Sequence, residues 1–250
     1  LLKDKGADEL SKQIDIRLIQ EISISELFEL VNQFDNASAL AILRLKNMIG
    51  RLQKEHTALE QKMMLSDTQL TFDPVAPVYP KHHKATDVLL TGGTGFFGPF
   101  ILKSILEQTD QRVYVLIRAA NEEQGMERLL AAMDSVEPLS PQLTVLFKQR
   151  VIPVCGDLGQ HQLGLSRDKW DFLANQVQEI YHNGATVNYL FNYDKMRNVN
   201  VIGTNEILKL AFDGTPKIFN HISTTFIFGW AVKDVLYETD SNDNINLLDF

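Results

Sequence analysis

The chain has 250 residues, 44% of them hydrophobic and 22% charged, which is ordinary for a globular protein and enough for one large domain with an appendage. A formal net charge of −8 excludes the basic face that nucleic-acid phosphates require, so no nucleic-acid partner is expected. No apolar run approaches the roughly 20 residues that span a bilayer, so no membrane segment is expected, and the single cysteine, Cys155, leaves no internal disulfide and fits a reducing cytoplasm.

The opening LLKDKGADEL has neither the basic start nor the apolar middle of a signal peptide. It lacks Met, and the chain stops in mid-pattern, so it reads as a piece of something longer. Residues 1–66 hold no proline, and no glycine beyond Gly50. Ser23–Gln33 spaces Ile24, Leu27, Phe28, Leu30 and Val31 as an amphipathic helix does. From Ala37 to Leu65, apolar residues recur at Leu45, Met48, Leu52, Leu59 and Met63. That spacing predicts a connecting helix pair, with partner-helix binding as the alternative; there are too few heptads to claim a coiled coil. FDPVAPVYPKHHK (72–84) carries three of the eight prolines and reads as an extended linker. Its adjacent His82 and His83 point to opposite sides of an extended chain and lack a Cys or acidic partner at ligand spacing, so no metal is expected.

Beyond residue 85 the pattern changes. Near-continuous apolar runs at Asp87–Leu90, Arg112–Ile117, Val151–Val154, Glu179–His182 and Ile218–Ile222 predict strands covered on both faces. Helical patterns lie between them at Pro99–Gln108, Glu122–Met133, Lys169–Val177 and Asp194–Phe212. The alternation predicts an α/β fold with a doubly wound parallel sheet of Rossmann type over residues 85–250.

VLLTGGTGFFGPF (88–100) places Gly92, Gly95 and Gly98 between the first strand and the first helix of that sheet. There, Gly92 permits a tight turn, Gly95 admits a pyrophosphate to the backbone and Gly98 lets helix and strand pack closely. The helix N-terminus offers N–H groups and a positive dipole to phosphates. The second strand ends in Arg118, where a carboxylate would hold the ribose 2′-hydroxyl of NAD. A guanidinium grips a 2′-phosphate instead, and Arg128 supplies a second cation, so the expected cofactor is NADP(H). Asp157, after the third strand, is placed to accept the adenine amino group. Asn183, Gly184 and Ala185, after the fourth, are placed to pass beneath a ribose.

TGGTGFFG, GDL (156–158), HNGATVN (182–188), NVIGT (200–204) and STTFIFG (223–229) together resemble the extended short-chain dehydrogenase/reductases. HNGATVN and LGLS (163–166) make the chain most similar to their thioester reductase domains, as in nonribosomal peptide synthetases, carboxylic acid reductases and aminoadipate reductases. The similarity runs from about residue 67 to 250. It implies NADPH-dependent reductive release of an acyl or peptidyl thioester, carried on the phosphopantetheine of a carrier domain, as an aldehyde and in some members on to the alcohol. It adds Thr91, Phe96, Phe97, Leu158 and Asn200 to the expected cofactor contacts. It places the catalytic hydroxyl, counted back from Gly229, on Thr224, with Ser223 and Thr225 on the opposite strand face. ISISELFELVNQ (22–33) resembles the last helix of a carrier, so residues 1–36 are expected to be a carrier remnant or carrier-like element, and 37–84 a helical tether and Pro-rich linker.

The family's Y-x-x-x-K motif occurs nowhere in the 250 residues. The resemblance therefore implies that the catalytic Tyr and Lys, and the substrate lobe, lie beyond residue 250, and that the truncated piece is not catalytically competent by itself. Two rival readings share the fold. One is a fatty acyl-CoA reductase with a diffusible substrate. The other is a non-redox release or cyclisation domain, or a binding module with a dead site. No G-x-S-x-G occurs, so an acyl hydrolase is unsupported.

Overall fold

The five apolar runs become five strands: β1 (Asp87–Thr91), β2 (Arg112–Ile117), β3 (Val151–Cys155), β4 (Glu179–His182) and β5 (Ile218–His221). The computed structural model describes residues 57–70, 72–74, 86–136, 138–188, 190–224, 235 and 237. The expected carrier-like helix, most of the expected tether and linker, and His82 and His83 lie outside the described residues. The described chain forms two compact units, one of Leu1–Val75, Leu158–Gly164 and Ala185–Lys209, the other of Ala76–Asp157, Leu165–Gly184 and Leu210–Phe250. No helix among the described residues is long and apolar enough to cross a membrane.

The second unit holds the sheet. Its order is β3-β2-β1-β4-β5 and every pairing is parallel. The chain moves outward from β1 through β2 to β3, then returns to β4 on the other side of β1. This reversal creates the crevice at the carboxyl ends where ligands of such sheets bind. β1 is buried along its whole length, because helices cover both faces. α1 (Gly98–Gln108), α2 (Glu122–Val136) and α3 (Pro141–Arg150) bring Leu102, Leu129 and Phe147 against Val88, Val113 and Val115. Burying one such side chain contributes about 1.5–3 kcal/mol.

α3 is absent from the sequence expectation. Its apolar residues cluster at 145–147 and Thr144 and Val145 are β-branched, so its helical period is weak. Its start was legible all the same. The Ser140 hydroxyl accepts the Leu143 N–H at 3.1 Å and Pro141 occupies the first turn. α4 (Arg167–Gln176) starts two residues before the expected Lys169, capped by Ser166, which accepts the Lys169 N–H at 3.4 Å.

The first unit contains α5 (Tyr193–Arg197), a π-helical turn (Asn198–Ile202) and α6 (Gly203–Phe212), whose residues up to Lys209 belong here. The sequence predicted one unbroken helix over this stretch. The Gly203 N–H reaches Asn198, five residues back, and inserts the wide turn. A helical segment at 57–67 meets α5 through polar groups, and Leu59, one of the apolar residues recurring along 37–65, is 59% exposed. The Asp67 carboxylate receives Arg197 Nε at 2.6 Å and a second guanidinium nitrogen at 2.7 Å, with the Tyr193 hydroxyl at 2.6 Å. The Glu60 carboxylate accepts the Tyr193 N–H at 3.2 Å. The Arg197 guanidinium holds the Asp67 carboxyl below its usual range, and burial, with Asp67 beside it, pushes the Tyr193 phenol up to about 12.

Asp67→Ala removes three of these bonds at once. Hydrogen exchange followed by mass spectrometry should then show the 57–67 amides exchanging severalfold faster while β1 and β2 keep their protection. Unchanged protection over 57–67 would show that the segment is held by something else.

Candidate functional site

The carboxyl ends of the strands present the expected residues in one row. In sheet order they are Asp157 after β3, Arg118 after β2, the 91–98 loop after β1, Asn183 after β4 and Thr224 beyond β5. Neighbouring strands lie about 4.8 Å apart, so the row is about 19 Å long. All of these residues belong to the second unit.

The three glycines of the loop are needed for three different reasons. Gly92 has φ of 69°, and a Cβ there would sit 2.7 Å from the Asn183 carbonyl oxygen and 2.8 Å from Gly184 Cα. A side chain is excluded both by strain and by backbone that cannot move aside. A Cβ at Gly98 would overlap the Gly92 carbonyl oxygen and meet Gly93 Cα at 2.7 Å. Gly95 donates its N–H to the Gly92 carbonyl at 3.0 Å, and a Cβ there would meet only that same oxygen, at 3.3 Å. Its outer side is therefore open to a ligand. Gly93 was not singled out in the sequence, although it is half of a Gly-Gly pair. A Cβ there would meet Val115 Cγ1 at 2.5 Å, so it sets the spacing between the loop and β2.

Phe97 caps α1 without a side-chain hydrogen bond. The helix start thus carries no capping side chain of its own that would compete with an anion. Phe96 is 91% exposed and Phe97 half exposed, and both lean on Phe100, with ring centroids 6.1 and 6.5 Å away.

Beneath the loop lies a buried polar network. The Thr91 hydroxyl oxygen accepts the Asn183 N–H at 3.1 Å and the Gly184 N–H at 2.8 Å, and lies 2.8 Å from His182 Nδ1. Asn183 Nδ2 donates to the Gly92 carbonyl at 3.2 Å. His182 is 1% exposed and stacks on His221, centroids 5.3 Å apart. Burial, aided by His221, pushes its pKa down to about 4. Thr91 and Asn183, both expected cofactor contacts, spend these side-chain groups on the protein itself and shape the crevice. His182 opens the HNGATVN stretch but was given no role in the sequence reading.

At the end of β2 the Arg128 guanidinium donates to the Arg118 carbonyl oxygen, and both side chains are exposed. Arg128 thus reaches back from α2 to the backbone at the strand end that carries Arg118. Asp157 is half-buried just past β3. Thr224 is exposed, and the ladder continues toward it because the Ile222 N–H donates to the His182 carbonyl at 3.0 Å. Ser223 is exposed as well, and Thr225 lies outside the described residues.

Leu158, Ala185 and Asn200 fall in the first unit. The Asn200 side-chain amide is bonded both ways to Thr186, accepting its N–H at 2.7 Å and donating to its carbonyl at 2.9 Å. A Cβ on Gly203 would meet the Leu158 carbonyl oxygen at 2.6 Å. The NVIGT stretch thus braces the 158 and 186 loops.

A loop open at Gly95 and an uncapped helix start fit a dinucleotide diphosphate. Among the described residues no group of three or more His, Cys, Asp or Glu side chains is arranged to hold a metal.

Comparison with known proteins agrees with this geometry. The family described as male sterility protein, an NAD-binding family, matches residues 90–247. The L-2-aminoadipate reductase large subunit of Candida glabrata is 32% identical over 206 residues, 76% of this chain and 15% of that protein. The crystal structure of the terminal R domain from the myxalamid PKS-NRPS biosynthetic pathway superposes with a TM-score of 0.65 at 34% identity, covering 74% of this chain and 46% of that one. A thiolation-reductase di-domain from an archaeal non-ribosomal peptide synthetase matches with a TM-score of 0.50 at 25% identity, covering 63% and 32%. The chain spans from 3% to 22% of the length of the curated relatives it matches. The Rossmann-type parallel sheet of the extended short-chain dehydrogenase/reductases is thus established by both topology and kinship.

Because the folded pKa of His182 lies below its ordinary 6.5, the unfolded chain binds the extra proton first as pH falls. The contribution of the neutral ring is fully present above pH 6.5 and is lost on the way down to about pH 4. A depression of that size corresponds to about 3 kcal/mol. Titration of the ring carbon protons by NMR should give His182 a pKa near 4, and a value near 6.5 would contradict its burial.

Proposed function

We propose that this chain, which belongs to the NAD-binding family described as male sterility protein, acts as a thioester reductase domain that prefers NADPH and releases a carrier-bound acyl or peptidyl group as an aldehyde. The observation that carries the reading is the row of crevice residues: a glycine loop open to a diphosphate, two guanidiniums at the next strand end, and a hydroxyl at the far end of the sheet.

Gly92, Gly95 and Gly98, with the first turn of α1, would hold the diphosphate. Arg118 and Arg128 would hold the 2′-phosphate, whose oxygens suit the planar donor fork of a guanidinium. Asp157 would accept from the adenine amino group. Bound there, the reduced nicotinamide would supply a hydride to the thioester carbon. Thr224 would donate a hydrogen bond to the oxygen that gains charge at that carbon, a contribution typically worth a few kcal/mol. No Y-x-x-x-K occurs in the 250 residues, so Thr224 is the oxyanion donor this chain supplies. The products are an aldehyde and the free thiol of the carrier.

Two findings support a carrier as the source of the thioester. A thiolation-reductase di-domain is among the structural relatives, and residues 22–33 resemble a carrier helix. The direct test is loss of 340 nm absorbance when the intact protein meets a carrier-loaded thioester. The reading predicts NADPH oxidation with aldehyde formation. Equal turnover of a free acyl-CoA would move the substrate to a diffusible one.

Two substitutions dissect the row. Arg118→Ala should weaken NADPH roughly tenfold or more and leave NADH unchanged in a fluorescence titration. A parallel loss for both nucleotides would place Arg118 elsewhere than at the 2′-phosphate. Thr224→Val should cut turnover of the intact protein at least tenfold with NADPH affinity retained, and unchanged turnover would remove Thr224 from the site.

A further inference from the structure

We infer that His182 is a positioning residue for the nucleotide crevice, acting through the Thr91 hydroxyl on one side and through its own carbonyl on the other. The inference rests on the nucleotide-binding reading above and deepens it.

The argument begins with valence. A threonine hydroxyl has two acceptor sites and one proton. At Thr91 both acceptor sites are taken, by the N–H groups of Asn183 at 3.1 Å and Gly184 at 2.8 Å. The proton is left for His182 Nδ1, 2.8 Å away. Nδ1 must therefore be bare, and the ring proton sits on Nε2. A ring in this state orients the hydroxyl so that both of its lone pairs face β4.

The consequence reaches the loop. Asn183 and Gly184 form the wall against which Gly92 makes its left-handed turn, at distances that exclude a Cβ. Asn183 Nδ2 also holds the Gly92 carbonyl. If the acceptor at Nδ1 is removed, the hydroxyl proton is left buried without a partner, and any rotation that finds it another acceptor turns a lone pair away from the Asn183 or Gly184 N–H. The chain relieves that cost by moving the 183–184 wall. Gly92 and the open outer side of Gly95, whose N–H is bonded to the Gly92 carbonyl, move with it.

The same residue also reaches the far end of the row. The His182 carbonyl accepts the Ile222 N–H at 3.0 Å, two residues before Thr224, and its ring stacks on His221 of β5. One residue thus connects the loop expected to hold the diphosphate with the strand end that carries the expected hydroxyl. Burial and the neighbouring His221 favour the neutral ring this arrangement needs.

A histidine that merely fills the core is distinguished by replacing its chemistry without its volume. His182→Asn puts a carbonyl acceptor near the Nδ1 position, whereas His182→Leu fills similar space and accepts nothing. The chain would be titrated with NADPH and with NADH, and folding checked by circular dichroism and cooperative denaturation. We expect His182→Leu to bind NADPH at least tenfold more weakly and His182→Asn to stay within about threefold of the unmodified chain. Equal binding by the two folded variants, whether both weak or both intact, overturns the inference while leaving the nucleotide site standing. Failure of the unmodified chain to bind either nucleotide overturns the reading beneath it as well. Where His182→Leu does not fold, Thr91→Val against Thr91→Ser reads the same bond from its other end. Loss in Val with retention in Ser supports the inference, and equal affinity overturns it.

Discussion

A backbone crossing governs the crevice. Gly92 turns over Asn183 and Gly184 closer than any side chain permits, and everything near it is arranged to keep that crossing in place. The Gly98 start of α1 sits against Gly92, which fixes the helix over β1. The Thr91 hydroxyl gathers the two N–H groups of the underlying strand. The open face of Gly95 is what remains once these contacts are satisfied. The loop therefore gains its shape from contacts within the protein, and under the proposed reading it would bind a diphosphate through the backbone groups those contacts leave over.

Polar bonds hold several of the described contacts. The 57–67 segment docks on α5 by Asp67 and Glu60. A bidentate guanidinium–carboxylate pair fixes orientation as well as proximity, which a sliding apolar seam does not. Lys217 follows the same logic in the other unit. It is fully buried, and its ammonium donates to the carbonyls of Ala174, Asp213 and Thr215 at 2.7, 2.5 and 2.7 Å. It thereby ties the turn after α6 to the end of α4, where the Ala174 carbonyl also accepts the Thr215 N–H at 2.9 Å.

The strands were legible because each is a short apolar run covered on both faces, and burial demands such runs wherever helices lie above and below. Arg112–Ile117 and Glu179–His182 appear with their expected bounds. α3 was not legible by period, because Val145 is exposed and Thr144 turns its hydroxyl back to the Ser140 carbonyl. The break at Asn198–Ile202 was hidden for another reason. Asn200 belongs to a sound helical pattern, and only its side-chain pairing with Thr186, distant in sequence, reveals the second task it performs. At the crevice the glycine turn was readable because its geometry is local to one loop. The role of His182 depends on three strands meeting, β1, β4 and β5, and no spacing within one segment encodes that.

The placement of positive charge completes the argument. The chain as a whole carries a net −8, which disfavours anionic ligands at long range. Attraction must therefore be local, and it is concentrated where the end of β2 meets α2. Arg128 donates to the carbonyl of the residue that bears the other guanidinium, so one cation helps hold the backbone of the other. Side chains held in this way lose less freedom when an anion arrives, and a planar fork is suited to a phosphate that offers two oxygens. Both remain exposed, so screening by salt weakens them individually. A dianionic phosphate that engages both regains what a single exposed contact would lose, and a bare hydroxyl on the same sugar does not. Under the proposed reading, discrimination between the two nucleotides would follow from the pairing of the cations more than from either one alone.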